Sequence, residues 1–72
     1  MMKAIIIDDE TSGRKAVKNY IVKYTSEIEI IDEADNVKNG LFSILSYKPD
    51  IVFLDINMPD GTGVDLLQKL PS

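Results

Sequence analysis

The sequence has 72 residues, fewer than the roughly 100–150 of a typical domain, and carries a net charge of −4. It contains no cysteine and no histidine, which excludes disulfides and histidine-bound zinc as sources of stability. The absence of cysteine fits a reducing, cytoplasmic location. The apolar runs are too short to span a membrane, and no signal-peptide pattern opens the chain. The negative charge argues against nucleic-acid binding through this segment, because phosphate contacts need a basic face.

The first part of the sequence predicts a strand, a helix and a second strand. Lys3–Ile7 is an apolar, β-branched run that stops at acidic residues, as a buried strand does. Thr11–Tyr24 has apolar residues at intervals of three and four, which predicts a helix with Thr11 or Ser12 as its N-terminal cap. Ile28–Ile31 is predicted as a short strand near an edge of the sheet.

A second helix and the most apolar strand come next. Asn36 is the predicted N-terminal cap of this helix, and Pro49 marks its end. The proline also biases Lys48 towards an extended conformation. Ile51–Leu54 is a run of four apolar residues, which is typical of a strand buried on both faces of a parallel sheet. We therefore predict that Ile51–Leu54 is the central strand.

A third helix is predicted at the end of the sequence. Thr62 and Asp65 have the spacing of a capping box, with Asp in place of Glu. Val64, Leu67 and Leu70 mark this helix by their spacing, and Pro71 ends it. The resulting βαβαβα order predicts an α/β fold with a parallel sheet, as part of a larger domain. The open, apolar edge left on the strand at 51–54 predicts self-association of this chain.

Acidic residues follow two of the predicted strands. Asp8 and Asp9 follow the first strand, and Asp55 follows Ile51–Leu54. If these parallel strands are neighbours, the three carboxylates converge at one edge of the sheet. Two like charges about 4 Å apart repel by roughly 4 kcal/mol at an effective dielectric near 20, so either one carboxyl is protonated or a cation binds.

The types of ligand available restrict the cation. Oxygen ligands without histidine or cysteine favour a hard ion such as Mg²⁺ or Mn²⁺, which keeps positions open for phosphate oxygens. Aspartate is an established nucleophile in phosphoryl transfer and forms an acyl phosphate, which makes Asp55 the candidate acceptor. Adjacent aspartates after a strand are also common as loop or N-cap residues, and Asn57 also fits a turn.

Two stretches resemble a known family. IIIDDE at Ile5–Glu10 and PDIVFLDINMPDGTG at Pro49–Gly63 are similar to the two acidic motifs of receiver domains from two-component response regulators. The resemblance implies a flavodoxin-like doubly wound parallel sheet, truncated here to three strands and three helices. Residues 1–72 are then expected to be the N-terminal portion of a receiver domain, without its last two strands and helices. The two stretches also resemble receivers that precede a LytTR-type DNA-binding domain.

The resemblance implies a role for each acidic residue. Asp55 is expected to be the phosphoacceptor, which takes a phosphoryl group from a sensor histidine kinase or a phosphotransfer protein. Asp9 and Asp55 are expected to bind Mg²⁺ through their carboxylates, Asn57 through its backbone carbonyl, and Asp8 partly through water. The chain is then a signalling module rather than an enzyme, and it controls transcription in the full-length protein.

Two other functions fit part of the pattern. A haloacid-dehalogenase-like phosphatase also places an aspartate nucleophile after an apolar strand. That class needs an acid two positions later, where this sequence has Asn57, and an amide does not donate and recover a proton. The other alternative is a pseudo-receiver that is not phosphorylated and serves as an interaction module. The intact set of Asp8, Asp9 and Asp55 argues against it.

Overall fold

The computed structural model describes residues 1–71 as an alternation of strands and helices. The elements are β1 (Met2–Ile7), α1 (Thr11–Tyr24), β2 (Ile28–Ala34), α2 (Val37–Tyr47), β3 (Ile51–Leu54), β4 (Asn57–Met58), β5 (Gly61–Thr62) and α3 (Gly63–Lys69). Three strands and three helices are therefore confirmed, and β2 is three residues longer than predicted. The short β4–β5 hairpin was not predicted. Over residues 1–71, no helix is long and apolar enough to cross a membrane.

The three long strands form a parallel sheet in the order β2–β1–β3. Among the three strands described, β1 lies in the middle and β3 pairs with it on one side, so Ile51–Leu54 is not the central one of these three, contrary to the prediction. Both strands contain four consecutive apolar residues, so the sequence alone did not distinguish a middle strand from an outer one. In the described part of the chain, the other side of β3 pairs with no strand, which agrees with the predicted open edge.

The core lies on both faces of β1. Ile5 and Ile7 point towards α2 and α3, where they belong to one buried cluster with Leu66 of α3. Ile6 points to the opposite face and lines a depression beside Val17 of α1. The middle strand is thus covered by helices on both faces, as is usual for parallel sheets.

The first helix begins differently from the prediction. Glu10 is its N-terminal cap residue and makes no side-chain capping hydrogen bond, so the predicted caps Thr11 and Ser12 are wrong. Thr11 is already the first helical residue, and its hydroxyl accepts a hydrogen bond from Arg14 Nη2 at 3.2 Å. The N-terminal turn of α1 is instead organised by the acidic residues that precede it, as described below.

The two other helices have the predicted caps. Asn36 Oδ1 accepts a hydrogen bond from the backbone N–H of Asn39 at 2.8 Å at the start of α2. At the start of α3, Thr62 Oγ1 accepts from the Asp65 N–H at 3.1 Å, and Asp65 Oδ2 accepts from the Thr62 N–H at 2.9 Å. This reciprocal pair is the capping box that the sequence predicted.

The prediction for Lys48 is wrong, and the burial of α3 follows a residue that the sequence did not single out. Lys48 is not extended but left-handed, with φ 48°, and its N–H donates to the Ile44 carbonyl at 2.9 Å, which closes α2. In α3, Val64 and Leu67 are 55% and 58% exposed, whereas Gly63 and Leu66 are buried, and Leu70, just after the helix, packs partly buried against the core. The helix begins at Gly63 and is only seven residues long, so a regular spacing of three was too little to determine which side faces the core.

Candidate functional site: an acidic cluster at the strand ends

The ends of β1 and β3 bring three carboxylates together. Ile7 pairs with Leu54 at the last position of the two strands, and each strand is followed by aspartate. The N–H of Asp55 donates to the Ile7 carbonyl at 2.9 Å, which holds the two ends side by side. Carboxylate oxygens of Asp8, Asp9 and Asp55 all lie within 4.8 Å of one another. The predicted convergence is therefore present in the structure.

The turn that carries Asp8 is held on several sides. Its N–H donates to the carbonyl of Ala34 at the end of β2 at 3.0 Å. Its Oδ1 accepts the N–H of Glu10 at 2.9 Å, which fixes the path of the chain into α1. Its carbonyl accepts a hydrogen bond from Arg14 Nη1 at 2.7 Å. The backbone of this acidic turn is therefore anchored to β2 and to α1.

The three carboxylates differ in exposure and in electrostatics. Asp8 and Asp55 are half-buried, while Asp9 is exposed. The pKa of Asp9 is raised above its ordinary value of 3.8, first by partial desolvation beside its neighbours, then by a side-chain hydrogen bond with Asp55 and by the charges of Asp55 and Asp8. A raised pKa is the expected result where carboxylates share one site without a cation. The arrangement favours either a proton or a positive ion among them.

The set of donors fits a hard cation. Every side-chain ligand in the cluster is a carboxylate oxygen, which is the type that Mg²⁺ prefers. An open depression of about 530 Å³ lies beside Asp9 and reaches Lys38 of α2 and Pro59 of the β4–β5 hairpin. The cluster is therefore open to solvent on the side of this depression.

The hairpin after Asp55 carries the fourth predicted ligand. Asn57 is exposed and pairs with Thr62 in the antiparallel β4–β5 ladder. Met58 is 9% exposed and packs into the core, so the two residues point to opposite sides of the hairpin. Asn57 therefore stands two residues after Asp55 on a segment whose position is fixed by Met58.

Two glycines shape this segment. Gly61 has φ +151°, a conformation that side-chain-bearing residues rarely adopt. Gly63 is buried against the end of β3, and a Cβ there would lie 2.7 Å from the Asp55 carbonyl oxygen. The Gly63 N–H also donates to the Ile56 carbonyl at 2.7 Å. The backbone around Asp55 thus requires a residue without a side chain at position 63.

Sequence reasoning missed Arg14. Besides binding the Asp8 carbonyl, its Nε lies 3.4 Å from Glu33 Oε1, and Lys18 Nζ lies 2.9 Å from Glu33 Oε2. These contacts join α1 to the end of β2. Arg14 is the one arginine of the sequence, and it comes six residues after Asp8, which is the only signal that could have drawn attention to it. On the acidic turn Arg14 binds a backbone carbonyl, and no sequence pattern indicates which carbonyl a side chain will bind.

Sequence reasoning also missed Asp60. Its Oδ1 accepts the Val37 N–H at 2.8 Å, and its Oδ2 accepts the Lys38 N–H at 3.1 Å, so both oxygens bind the first turn of α2. The Val37 N–H, and to a smaller extent the Lys38 N–H, lower the pKa of this carboxyl. In the sequence, Asp60 is only a part of the loop motif after Asp55.

Comparison with known proteins identifies the family. The family model for the response regulator receiver domain matches residues 4–72. The sensory transduction protein LytT from Bacillus anthracis is 44% identical over 70 residues, which cover 97% of this chain and 28% of that protein. The similarity to LytT agrees with the predicted likeness to LytTR-type regulators.

Solved structures show the same fold. The response regulator domain of Thermotoga maritima CheB matches with a TM-score of 0.86 at 22% identity, over 94% of this chain and 50% of that chain. A chain of the CheX–CheY–BeF3–Mg+2 complex from Borrelia burgdorferi matches with a TM-score of 0.83 at 26% identity, over 92% and 49%. The chain spans about half of these solved chains, and the predicted flavodoxin-like fold is confirmed. The chain belongs to the response regulator receiver domain family.

Proposed function

We propose that this chain is the phosphoacceptor module of a two-component phosphorelay, with Asp55 as the acceptor. The observation that carries the proposal is the convergence of Asp8, Asp9 and Asp55 at the ends of two adjacent strands. Receiver domains are signalling modules whose partners are histidine kinases or phosphotransfer proteins, and membership of that family supports the same partners here. The module is phosphorylated and does not turn over a substrate as an enzyme does.

The proposed metal is Mg²⁺. The carboxylates of Asp9 and Asp55 and the backbone carbonyl of Asn57 would bind it, and Asp8 would hold it partly through water. The oxygen-only donor set and the raised pKa of Asp9 support a cation at this place. The likeness to a chain of a complex that contains CheY, BeF3 and Mg+2 supports the same ion. When bound, Mg²⁺ supplies positive charge that offsets the repulsion between an anionic phosphoryl group and the carboxylates.

The proposed reaction transfers one phosphoryl group. A carboxylate oxygen of Asp55 attacks phosphorus and forms a new P–O bond while the P–N bond to the donor histidine breaks. The electron pair of that bond leaves with the imidazole nitrogen, which takes up a proton, and Asp55 becomes an acyl phosphate. The acyl phosphate carries a charge of about −2 in place of the single negative charge of the carboxylate, and this change is the signal that the module transmits.

The proposal extends to the whole protein. Residues 1–72 would be the N-terminal portion of a receiver domain without its last two strands and helices, as their coverage of about half of two solved chains suggests. The likeness to LytT supports control of transcription as the output of the full-length protein.

A labelling experiment tests the proposal. The protein is treated with acetyl phosphate in the presence of Mg²⁺, and its intact mass and its tryptic peptides are measured. We expect a gain of one phosphoryl group on Asp55, no gain when Mg²⁺ is chelated, and no gain in Asp55→Asn. Asp50→Asn is the matched control, because Asp50 precedes β3 at the opposite end of the strand. Labelling that persists in Asp55→Asn, or is absent in the wild type with Mg²⁺, would overturn the proposal.

A further inference from the structure

Asp60 connects two parts of the site that are distant in sequence. It is the second of the two residues, Pro59 and Asp60, that link β4 to β5. Its side chain reaches α2, where its two carboxylate oxygens accept the N–H groups of Val37 and Lys38 at 2.8 and 3.1 Å. The hairpin that follows the phosphoacceptor strand is therefore fastened to the helix on the other side of the open depression.

The contact adds to the capping of α2. The first four N–H groups of a helix have no partner within the helix before its first turn closes. Asn36 Oδ1 accepts the N–H of Asn39, and the first bond within the helix runs from the Gly40 N–H to the Asn36 carbonyl. Asp60 binds the two N–H groups before Asn39, those of Val37 and Lys38. A carboxylate at this place also interacts favourably with the helix dipole.

The contact between Asp60 and α2 lies beside the acidic cluster. Asp60 lies three residues after Asn57 on the same hairpin, and Asp60 and Asp9 line the same open depression of about 530 Å³. Met58 anchors the hairpin to the core from one side, and Asp60 anchors it to α2 from the other. The hairpin segment that carries Asn57 is therefore restrained on both sides.

We propose that Asp60 is a positioning residue for the acidic cluster: its bond to the first turn of α2 holds the hairpin so that the Asn57 carbonyl is presented to the metal. This inference rests on the proposed function, because it assigns Asp60 a role in binding of the same ion. It goes beyond capping, since a residue that only stabilised α2 would leave the affinity for the ion unchanged.

The sequence offers a matched control. Asn36 and Asp60 each cap the first turn of α2 with a side-chain oxygen, but only Asp60 belongs to the hairpin that carries Asn57. Asn36→Ala removes a cap and leaves the link intact, whereas Asp60→Ala removes a cap and the link together. The two variants therefore separate helix stability from metal binding.

The experiment measures Mg²⁺ affinity by calorimetry, the free energy of unfolding in urea, and amide hydrogen exchange at Val37 and at Asn57. We expect both variants to lose stability, and Asp60→Ala alone to bind Mg²⁺ about tenfold more weakly, as loss of a partner that orients a ligand typically does. Exchange at Asn57 should accelerate in Asp60→Ala and remain at the wild-type rate in Asn36→Ala. Asp60→Asn keeps one acceptor oxygen and should lie between Asp60→Ala and the wild type; it serves as the test variant if Asp60→Ala does not fold.

Three results would count against the inference. Equal Mg²⁺ affinity in Asp60→Ala and the wild type means that Asp60 is only a cap, while the proposed function stands. An equal loss of affinity in Asn36→Ala means that α2 stability, and not the link, controls the site. Failure of the wild type to bind Mg²⁺ overturns the proposed function and this inference together.

Discussion

The strands β1 and β3 pair residue by residue and both end in aspartate, yet their environments differ. The pairing runs without a break from Ala4 opposite Ile51 to Ile7 opposite Leu54. The three isoleucines of β1 are at most 1% exposed, whereas all four residues of β3 are partly exposed. The comparison shows that β1 provides the core and the middle of the described sheet, while β3 carries Asp55, the proposed acceptor, at the edge of the described sheet.

Truncating matched residues of the two strands gives the largest expected effect. Ile7 and Leu54 are register partners of equal size, but only Ile7 is fully buried. Ile7→Ala should cost about 3–4 kcal/mol of unfolding free energy, and Leu54→Ala about 2 kcal/mol, because a half-exposed site loses less burial and leaves a smaller cavity. Urea denaturation of both variants checks the difference. Equal losses would mean that β3 is as deeply buried as β1.

A glycine substitution sharpens the comparison at the end of β3. Gly63→Ala places a Cβ 2.7 Å from the backbone carbonyl oxygen of Asp55, which cannot turn away, so we expect a loss of about 1–3 kcal/mol. Gly13→Ala is the comparison, because its Cβ would meet the Asp8 carboxylate, a side chain that can shift at the cost of its hydrogen bond to the Glu10 N–H. Thermal unfolding should show a clear decrease for Gly63→Ala and a smaller change for Gly13→Ala. A larger loss for Gly13→Ala would contradict this account of the β3 end.

The acidic residue at the end of β1 gives a pH-dependent effect. The folded pKa of Asp9 is raised above 3.8, so the fold favours its protonated form. The ionised Asp9 carboxylate therefore destabilises the fold. This loss of stability is absent below the ordinary pKa and develops as the pH rises from there through the pKa of the folded state. Without metal, Asp9→Asn should unfold at a higher temperature than the wild type at neutral pH and at the same temperature at low pH. With Mg²⁺ the order should reverse, because the variant loses a ligand. A pH-independent difference would contradict the electrostatic cause.

The free edge of β3 gives the smallest expected effect. Within residues 1–71 that edge pairs with no strand, and Phe53 lines an apolar depression of about 350 Å³ with Val17, Tyr20 and Ile21. We expect the chain to associate weakly with itself at high concentration, and Phe53→Lys to reduce the association. Sedimentation equilibrium checks both. A monomer over the whole concentration range would contradict the prediction of self-association.

Much of the fold was predictable because it depends on local pattern. The apolar runs, the helical spacing and the caps at Asn36 and Thr62 are all encoded within a few residues of where they act. The order of the strands was not predictable in this way, because β1 and β3 are equally apolar and only their pairing decides which is buried. Lys48 adopts its left-handed conformation to end α2, which outweighed the bias imposed by Pro49.

Part of the candidate site was likewise predictable from the sequence, and part was not. Asp8, Asp9 and Asp55 were predictable because the carboxyl ends of parallel strands lie at one edge of a sheet. Asp60 and Arg14 were not, because each binds backbone atoms of an element distant in sequence or at a turn. Backbone groups are the same at every position, so no residue pattern indicates which of them a side chain will bind.

A titration with Mg²⁺ monitored by nuclear magnetic resonance tests the central claim most directly. The account predicts saturable shifts centred on the amides of Asp8, Asp9, Asp55 and Asn57, and their loss in Asp9→Asn. Spectra that do not respond to Mg²⁺, or shifts centred on another part of the chain, would contradict the claim that the ends of β1 and β3 together form a metal-binding site.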